Sequence, residues 1–374
     1  GLAYRDGDLW ISDRVTDRLY RVDPERGDVV DLLPAPGPFP AGLAFVEGEL
    51  AVADVQRSRV VAVAPRRLAR VERRDPRAAE VVLARRITNR GPDALASADV
   101  FVAVPISAPN QALDGEPVFT PEPAEIVEDR WGQRFARFSV RDLGPNESLE
   151  IQMRVRATLF AVRHHIEPDQ VGGLKSIPRA VRARYLEDAT KFALEHPSIR
   201  EHLDKALDGE RRPYWMVRKI ARYIGEHMEY ELAGGWNIAP TVIDRGTGSC
   251  SEYTFVFIAM CRAAGIPARY AGAIVVRGDD ASTDDVFHRW AEVYLPGYGW
   301  IPADAQAADK PAPEDQGAGL GSLPARFVIT TWGGGGSRYI GWDYNSAARW
   351  TCRGRCEVDD LHVADWYPVE DAPE

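Results

Sequence analysis

The chain has 374 residues, enough for two or three domains. Its 46 Lys+Arg against 56 Asp+Glu give a net charge of −10, which argues against a general nucleic-acid binder, because such proteins carry a basic face. With 45% hydrophobic residues, four cysteines and no apolar run near the ~18 residues of a membrane span, the composition is that of a globular protein with its own cores and no disulfide scaffold. The sequence opens at Gly1 with neither Met nor a signal-peptide pattern. It reads as a fragment or processed form, with the cytoplasm slightly favoured and an upstream signal left open.

The first feature along the chain is an internal repeat. GLAYRDGDLWISDRVTDRLYRVDP (1–24) recurs as GLAFVEGELAVADVQRSRVVAVAP (42–65), with Gly1/Gly42, Leu9/Leu50, Asp13/Asp54 and Pro24/Pro65 among the identities. Short alternating strands at a period of 41 residues resemble β-propeller blades of the NHL type. Two blades cannot close a ring, because propellers need at least about four. Residues 1–66 are therefore expected to be a propeller fragment or remnant, with a surface for a protein partner, or else a plain meander of hairpins. Residues 68–163 are expected to form an antiparallel β-sandwich. Alternating runs at 71–90, 100–106, 133–140 and 148–162 are separated by Gly91-Pro92, a Pro-rich loop at 107–123, and Gly144-Pro145-Asn146.

From about 170 the period turns helical, and residues 170–374 are read as one α+β domain. One helix is expected over Pro178–His196 and a short one over Ile199–Leu207. A third opens at Arg212-Pro213-Tyr214, and Gly234-Gly235 ends that helical pattern. In GTGSCSEYTFVFIAMCRAAGIP (246–267), Ser249 and Glu252 have capping-box spacing, the following run is apolar all round, and Gly265 and Pro267 stop the helix. Cys250 thus stands in the first turn of a buried helix, where the helix dipole and free N–H groups favour a thiolate, while Glu252 opposes it. The bland alternative is a buried structural thiol, which is how Cys261 reads.

A base and an orienting acid follow. His288 opens the alternating strand HRWAEVYL, Pro296–Gly299 turns, and WIPADA returns. A hairpin pairing Tyr294 with Trp300 puts Asp304 opposite Trp290 and diagonal to His288 on one face, ~7–8 Å apart between backbones. Cys250, His288 and Asp304 then supply a nucleophile, a general base and its orienter. The segments GTGSCSEYTFVFIAMCRAAGIPARYAGAI and HRWAEVYLPGYGWIPADA strongly resemble the bacterial transglutaminase-like superfamily. The resemblance spans about 175–345 and implies a papain-like fold, thioester chemistry at Cys250, His288 and Asp304, and a protein or peptide substrate. It leaves open hydrolysis, amine transfer or an inactive scaffold. It implies no cofactor, and no metal is expected: the acidic loop Asp279, Asp280, Asp284, Asp285 does not match an EF-hand and reads as solvated.

The oxyanion needs a donor besides the Cys250 N–H, and Trp236 is the candidate, with Tyr230 as alternative and Trp290 as a further substrate contact. In the tail, Gly333–Gly336 read as a flexible loop, and Trp332, Trp342 and Tyr344 as groove lining or packing. Cys352 and Cys356 flank a hairpin tip and could bridge it; with His362 they offer only three zinc ligands.

Overall fold

The computed structural model describes residues 1–63, 70–232, 236–278, 280–306 and 312–369. The break expected at Gly234-Gly235, the boundary at 66–68 and Asp279 lie outside the described residues. The repeat at the N-terminus builds two antiparallel meanders. The first contains β1 (Leu2–Arg5), β2 (Asp8–Asp13), β3 (Arg18–Asp23) and β4 (Asp28–Pro34); the second contains β5 (Pro40–Val46), β6 (Glu49–Asp54) and β7 (Arg59–Val63). β6 and β7 begin 41 residues after β2 and β3, so the sequence repeat is also a structural one. Trp10, Leu19, Leu33, Leu50 and Val52 form a small core of these residues. Among the described residues no sheet here closes into a ring; the repeat yields two open meanders.

A β-sandwich follows. One sheet is built on β8 (Val71–Asn89), the other on β9 (Leu95–Ala103). The loop at 107–123 carries β10 (Gln111–Leu113) and β11 (Val118–Thr120). After it come β12 (Glu125–Glu128), β13 (Arg134–Leu143) and β14 (Ser148–His164). β8 and β14 pair over nearly their full length, because their alternating apolar residues, such as Val81, Leu83, Met153 and Val155, face one core.

The α+β part contains α1 (Arg179–Tyr185), α2 (Pro197–Leu207), α3 (Pro213–His227), β15 (Glu229–Tyr230), α4 (Ala239–Arg245), β16 (Thr247–Gly248) and α5 (Cys250–Ala263). It continues through β17 (Ala268–Val275), β18 (Ser282–Asp284), β19 (His288–Leu295), β20 (Gly299–Ala303), α6 (Pro313–Ala318), β21 (Ser322–Leu323) and β22 (Phe327–Gly333). Helix α5 sits at the centre. Phe255, Val256, Phe257 and Ile258 are all fully buried, against α2, α3 and α4 and the sheet β20-β19-β17-β22. Each such side chain contributes about 1.5–3 kcal/mol by leaving water. Among the described residues, no helix is long and apolar enough to cross a membrane.

Five expectations need correction. The helix read over Pro178–His196 stops at Tyr185, because the Asp188 carboxylate takes the N–H groups of Ala189 and Leu194 at 2.8 and 3.1 Å, and Ala193 turns left-handed at φ 50°. The tail does not belong to the α+β part alone. β23 (Ser346–Cys352) pairs with β9 and β24 (Val358–Pro368) with β8, so the chain returns to complete both sandwich sheets. The bonded Cys352 and Cys356 therefore flank a crossing between two sheets, not the tip of a hairpin. The glycines at 333–335 are packed rather than flexible: a Cβ on Gly334 would fall 2.6 Å from the Trp131 ring. Asp284 is 1% exposed and pairs with Arg277 at 2.9 Å, so that acid is a buried structural anchor and not part of a solvated loop.

Burial presses two histidines towards the neutral form, His164 to about 4 and His362 to about 3. Each gains a proton on unfolding, so their stabilisation is complete above the ordinary histidine value of about 6.5 and is lost as pH falls through the folded values. We expect conformational stability to drop by roughly 1.4 kcal/mol per pH unit for each histidine as pH falls from about 6.5 towards 4. Urea midpoints across that range test this. The double variant His164→Gln/His362→Gln should flatten the slope, and an unchanged slope would refute the assignment.

Candidate active site

Cys250 is the first residue of α5 and is 4% exposed. The helix begins here because the Glu252 carboxylate reaches back to accept the Ser249 N–H at 3.1 Å, the half of the capping box that orients the first turn. Glu252 also accepts from the Asn237 N–H at 3.1 Å and from Arg245 at 3.2 Å. Its carboxylate is thus engaged by donors other than the thiol.

His288 and Asp304 arrive on the hairpin β19–β20 in the anticipated register. Tyr294 pairs with Trp300 and Ala291 with Ala303, so Asp304, one residue past β20, falls opposite Trp290. The turn is three residues, Pro296–Tyr298, because Leu295 and Gly299 themselves pair. His288 Nε2 lies 3.2 Å from Asp304 Oδ2. His288 and the Cys250 thiol line the same cleft, and the imidazole favours ionisation of the thiol. Asp304 is held in turn by the Gln306 N–H on Oδ1 at 3.1 Å and by its own N–H donating to Gly319 O at 2.8 Å.

The electrostatics follow from this chain. Burial lowers the His288 imidazolium, but the bond to Asp304 and the nearby thiol outweigh it and raise the group to about 10. Burial raises the Cys250 thiol, and the His288 cation, the Arg289 N–H and the Tyr344 hydroxyl outweigh it, so the thiol lies below its ordinary value. Both shifts run in the direction that favours a thiolate beside an imidazolium. Cys261, fully buried with no such neighbour, is pushed far up and is inert core.

The remaining candidates separate clearly. Trp290 is 1% exposed and stacks against His288 at 5.8 Å between ring centres, so it fixes the plane of the base. Tyr230 is exposed on β15 and faces the same cleft as the thiol. Trp236 packs edge-on against Tyr344 at 5.4 Å and lies 5.0 Å from the Arg289 guanidinium. Of the three tail aromatics, Trp342 is core packing over Phe192 and Phe255, and the Trp332 indole N–H donates to Glu292. Tyr344 reaches the site: its hydroxyl is 3.9 Å from Cys250 Sγ and 2.7 Å from Ser251 Oγ.

The sequence reading overlooked Arg289. It is fully buried among the rings of Trp236, Phe255, Tyr270 and Tyr344 at 4.5–5.3 Å, and donates to Ser251 Oγ and to the Trp342 carbonyl. An arginine directly after the candidate base, at the start of the strand HRWAEVYL, was the available signal. Cys250, His288, Trp290, Asp304 and Tyr230 open onto a cleft of about 920 Å³, whose walls also include Arg163 of the sandwich and Arg18 of the first meander.

Residues 201–305 match the family model described as the transglutaminase-like superfamily. This segment is a transglutaminase-like domain. A Cytophaga hutchinsonii structure, described as that of a candidate cysteine protease, shares the fold with a TM-score of 0.54 at 15% identity, covering 80% of this chain and 100% of its own. The periplasmic domain of TgpA from Pseudomonas aeruginosa aligns with a TM-score of 0.33 at 16% identity, over 67% of this chain and 97% of that domain. An uncharacterized Haemophilus influenzae protein is 25% identical over 201 residues, 44% of this chain and 54% of that protein. The chain thus spans about half the length of that relative.

Replacing His288 by Ala should remove the ion pair and leave Cys250 an ordinary buried thiol. We expect alkylation by iodoacetamide at pH 6, read at Cys250 by mass spectrometry, to slow by at least about 30-fold, since a free thiol ionises near 8.5. Equal rates in the two proteins would exclude a pre-formed pair.

Proposed function

We propose that the protein hydrolyses amide bonds of a peptide or protein through a thioester on Cys250. The observation that carries the reading is the His288 ring, hydrogen-bonded to Asp304 and lining one open cleft with the Cys250 thiol. The thiolate attacks the carbonyl carbon, and His288 delivers its proton to the departing nitrogen as the C–N bond breaks. Water then attacks the thioester while His288 takes one of its protons, and the C–S bond breaks to return the thiolate. The Cys250 N–H, one of the free donors of the first helical turn, faces the developing oxyanion, and the Tyr344 hydroxyl is the best-placed second donor. Tyr344 suits donation because burial and the nearby thiolate hold it protonated.

Hydrolysis is preferred to amine transfer because the cleft is open to water and the structural neighbour at TM-score 0.54 is described as a cysteine protease candidate. A non-catalytic scaffold would gain nothing from a buried thiol held below its ordinary value. Digestion of a peptide pool in ¹⁸O water with and without a primary amine tests the reading. We expect ¹⁸O in the new carboxylates and loss of turnover by at least about 10³-fold in Cys250→Ala, a range typical of an essential nucleophile. Amine adducts outnumbering acids would assign the protein to acyl transfer instead. Tyr344→Phe should lower kcat by about 10–100-fold with KM little changed, as for a donor engaged in the transition state. Loss confined to KM would assign Tyr344 to substrate binding.

A further inference from the structure

We propose that Arg163, held by Asp31 of the N-terminal meander, is a positioning residue for the catalytic carboxylate Asp304; this rests on the triad reading above. Asp304 is not anchored by its own hairpin alone. Its N–H donates to Gly319 O at 2.8 Å, Ala303 bridges to Leu320, and the Gly321 N–H donates to Pro302 O at 2.8 Å. The segment 317–322 is therefore the floor on which Asp304 rests.

That floor is gripped from below by one side chain. Arg163, on β14 of the sandwich, donates through Nη1 to Gly317 O at 3.1 Å, Leu320 O at 3.3 Å and Ser322 Oγ at 2.7 Å. Its Nε and Nη2 both bind Asp31 Oδ1 of β4, at 3.1 and 3.0 Å. The guanidinium fork thus joins a carboxylate of the first meander to two carbonyls and a hydroxyl under the triad, a geometry no ammonium can copy in full. Asp31 is 5% exposed and its second oxygen is taken by His165 Nδ1 at 2.9 Å, while His165 Nε2 meets Glu72 at 3.1 Å. Asp31 lies below the ordinary carboxylate range: burial raises it, but Arg163 and His165 outweigh burial. Arg74 caps Glu72 at the cleft side. Three parts of the chain meet in this cluster, and the contact is close: a Cβ on Gly317 would fall 2.8 Å from Val29 of β4.

A buried ion cluster is a poor source of net stability, because desolvation consumes most of the attraction. What this one supplies is orientation. If the floor loosens, Asp304 drifts from His288, the imidazolium is no longer held, and the thiol reverts towards ordinary behaviour.

The test reads Cys250 alkylation by iodoacetamide from pH 5 to 9 in the full chain, which needs no substrate. Arg163→Met should move the pH profile towards the free-thiol value by at least about one unit, about a tenfold lower rate at pH 6. Arg163→Lys should recover part of that loss, and Asp31→Asn should shift the profile in the same direction by less. In an Asp304→Ala background, Arg163→Met and Asp31→Asn should add nothing further, because the relay has lost its target. If Arg163→Met fails to fold, Arg163→Lys and Asp31→Asn complete the same cycle. An unchanged profile in the single variants, or an equal loss with and without Asp304, overturns the relay. A wild-type protein that alkylates like a free thiol overturns the triad itself, and peptide hydrolysis enters neither outcome.

Discussion

A charge buried beside α5 exists only where an opposite charge, a hydrogen-bond acceptor or an aromatic face offsets the loss of water, and this constraint governs the site. Cys250 is almost fully enclosed, and enclosure alone would hold it as a thiol, as it does Cys261 eleven residues further along the same helix. The two sulfurs differ in their surroundings: His288 lies beside Cys250 alone, and Asp304, 3.2 Å from His288 Nε2, favours the imidazolium there. The three residues are therefore a single electrostatic object, and the surrounding elements are arranged to hold it still.

Helix α5 supplies the first support. Its apolar run buries it on all sides, which fixes Cys250 against the sheet, and Glu252 is engaged by the Ser249 N–H, Asn237 and Arg245. Trp290 and Phe327 flank the His288 ring, at 5.8 and 5.4 Å between centres, and restrict its plane. Behind the thiol, the Arg289 guanidinium is buried among four aromatic faces. Cation–π contacts there take the place of a counter-ion, so a positive charge remains next to Ser251 and Tyr344 on the side where negative charge would develop.

The β-rich modules are not appendages to this core. The sandwich receives β23 and β24 from the far end of the chain, and the first meander docks through Arg21–Glu167, Asp28–Arg218 and the Asp31–Arg163 cluster. Their residues wall the cleft that holds the triad. A module boundary drawn along the sequence therefore does not coincide with a boundary in space.

Local chemistry made much of this legible. The 41-residue offset foretold the two meanders, alternation foretold the paired strands β8 and β14, and the capping-box spacing with an apolar run foretold α5 with Cys250 at its start. Turn length and the period of two placed Asp304 opposite Trp290, because hairpin register is a local property. Which side chains and backbone groups meet, near or far in sequence, was settled only by the tertiary structure. Asp188 ends α1 by capturing the N–H groups of Ala189 and Leu194. Asp284 is buried because Arg277 and three backbone N–H groups converge on it. Gly334 is packed because Trp131 comes from the sandwich, and Tyr344 meets Cys250 across 94 positions. Sequence period fixes which face a side chain takes, but a hydrogen bond or ion pair across a hundred residues is decided by how the layers stack, which no local pattern encodes.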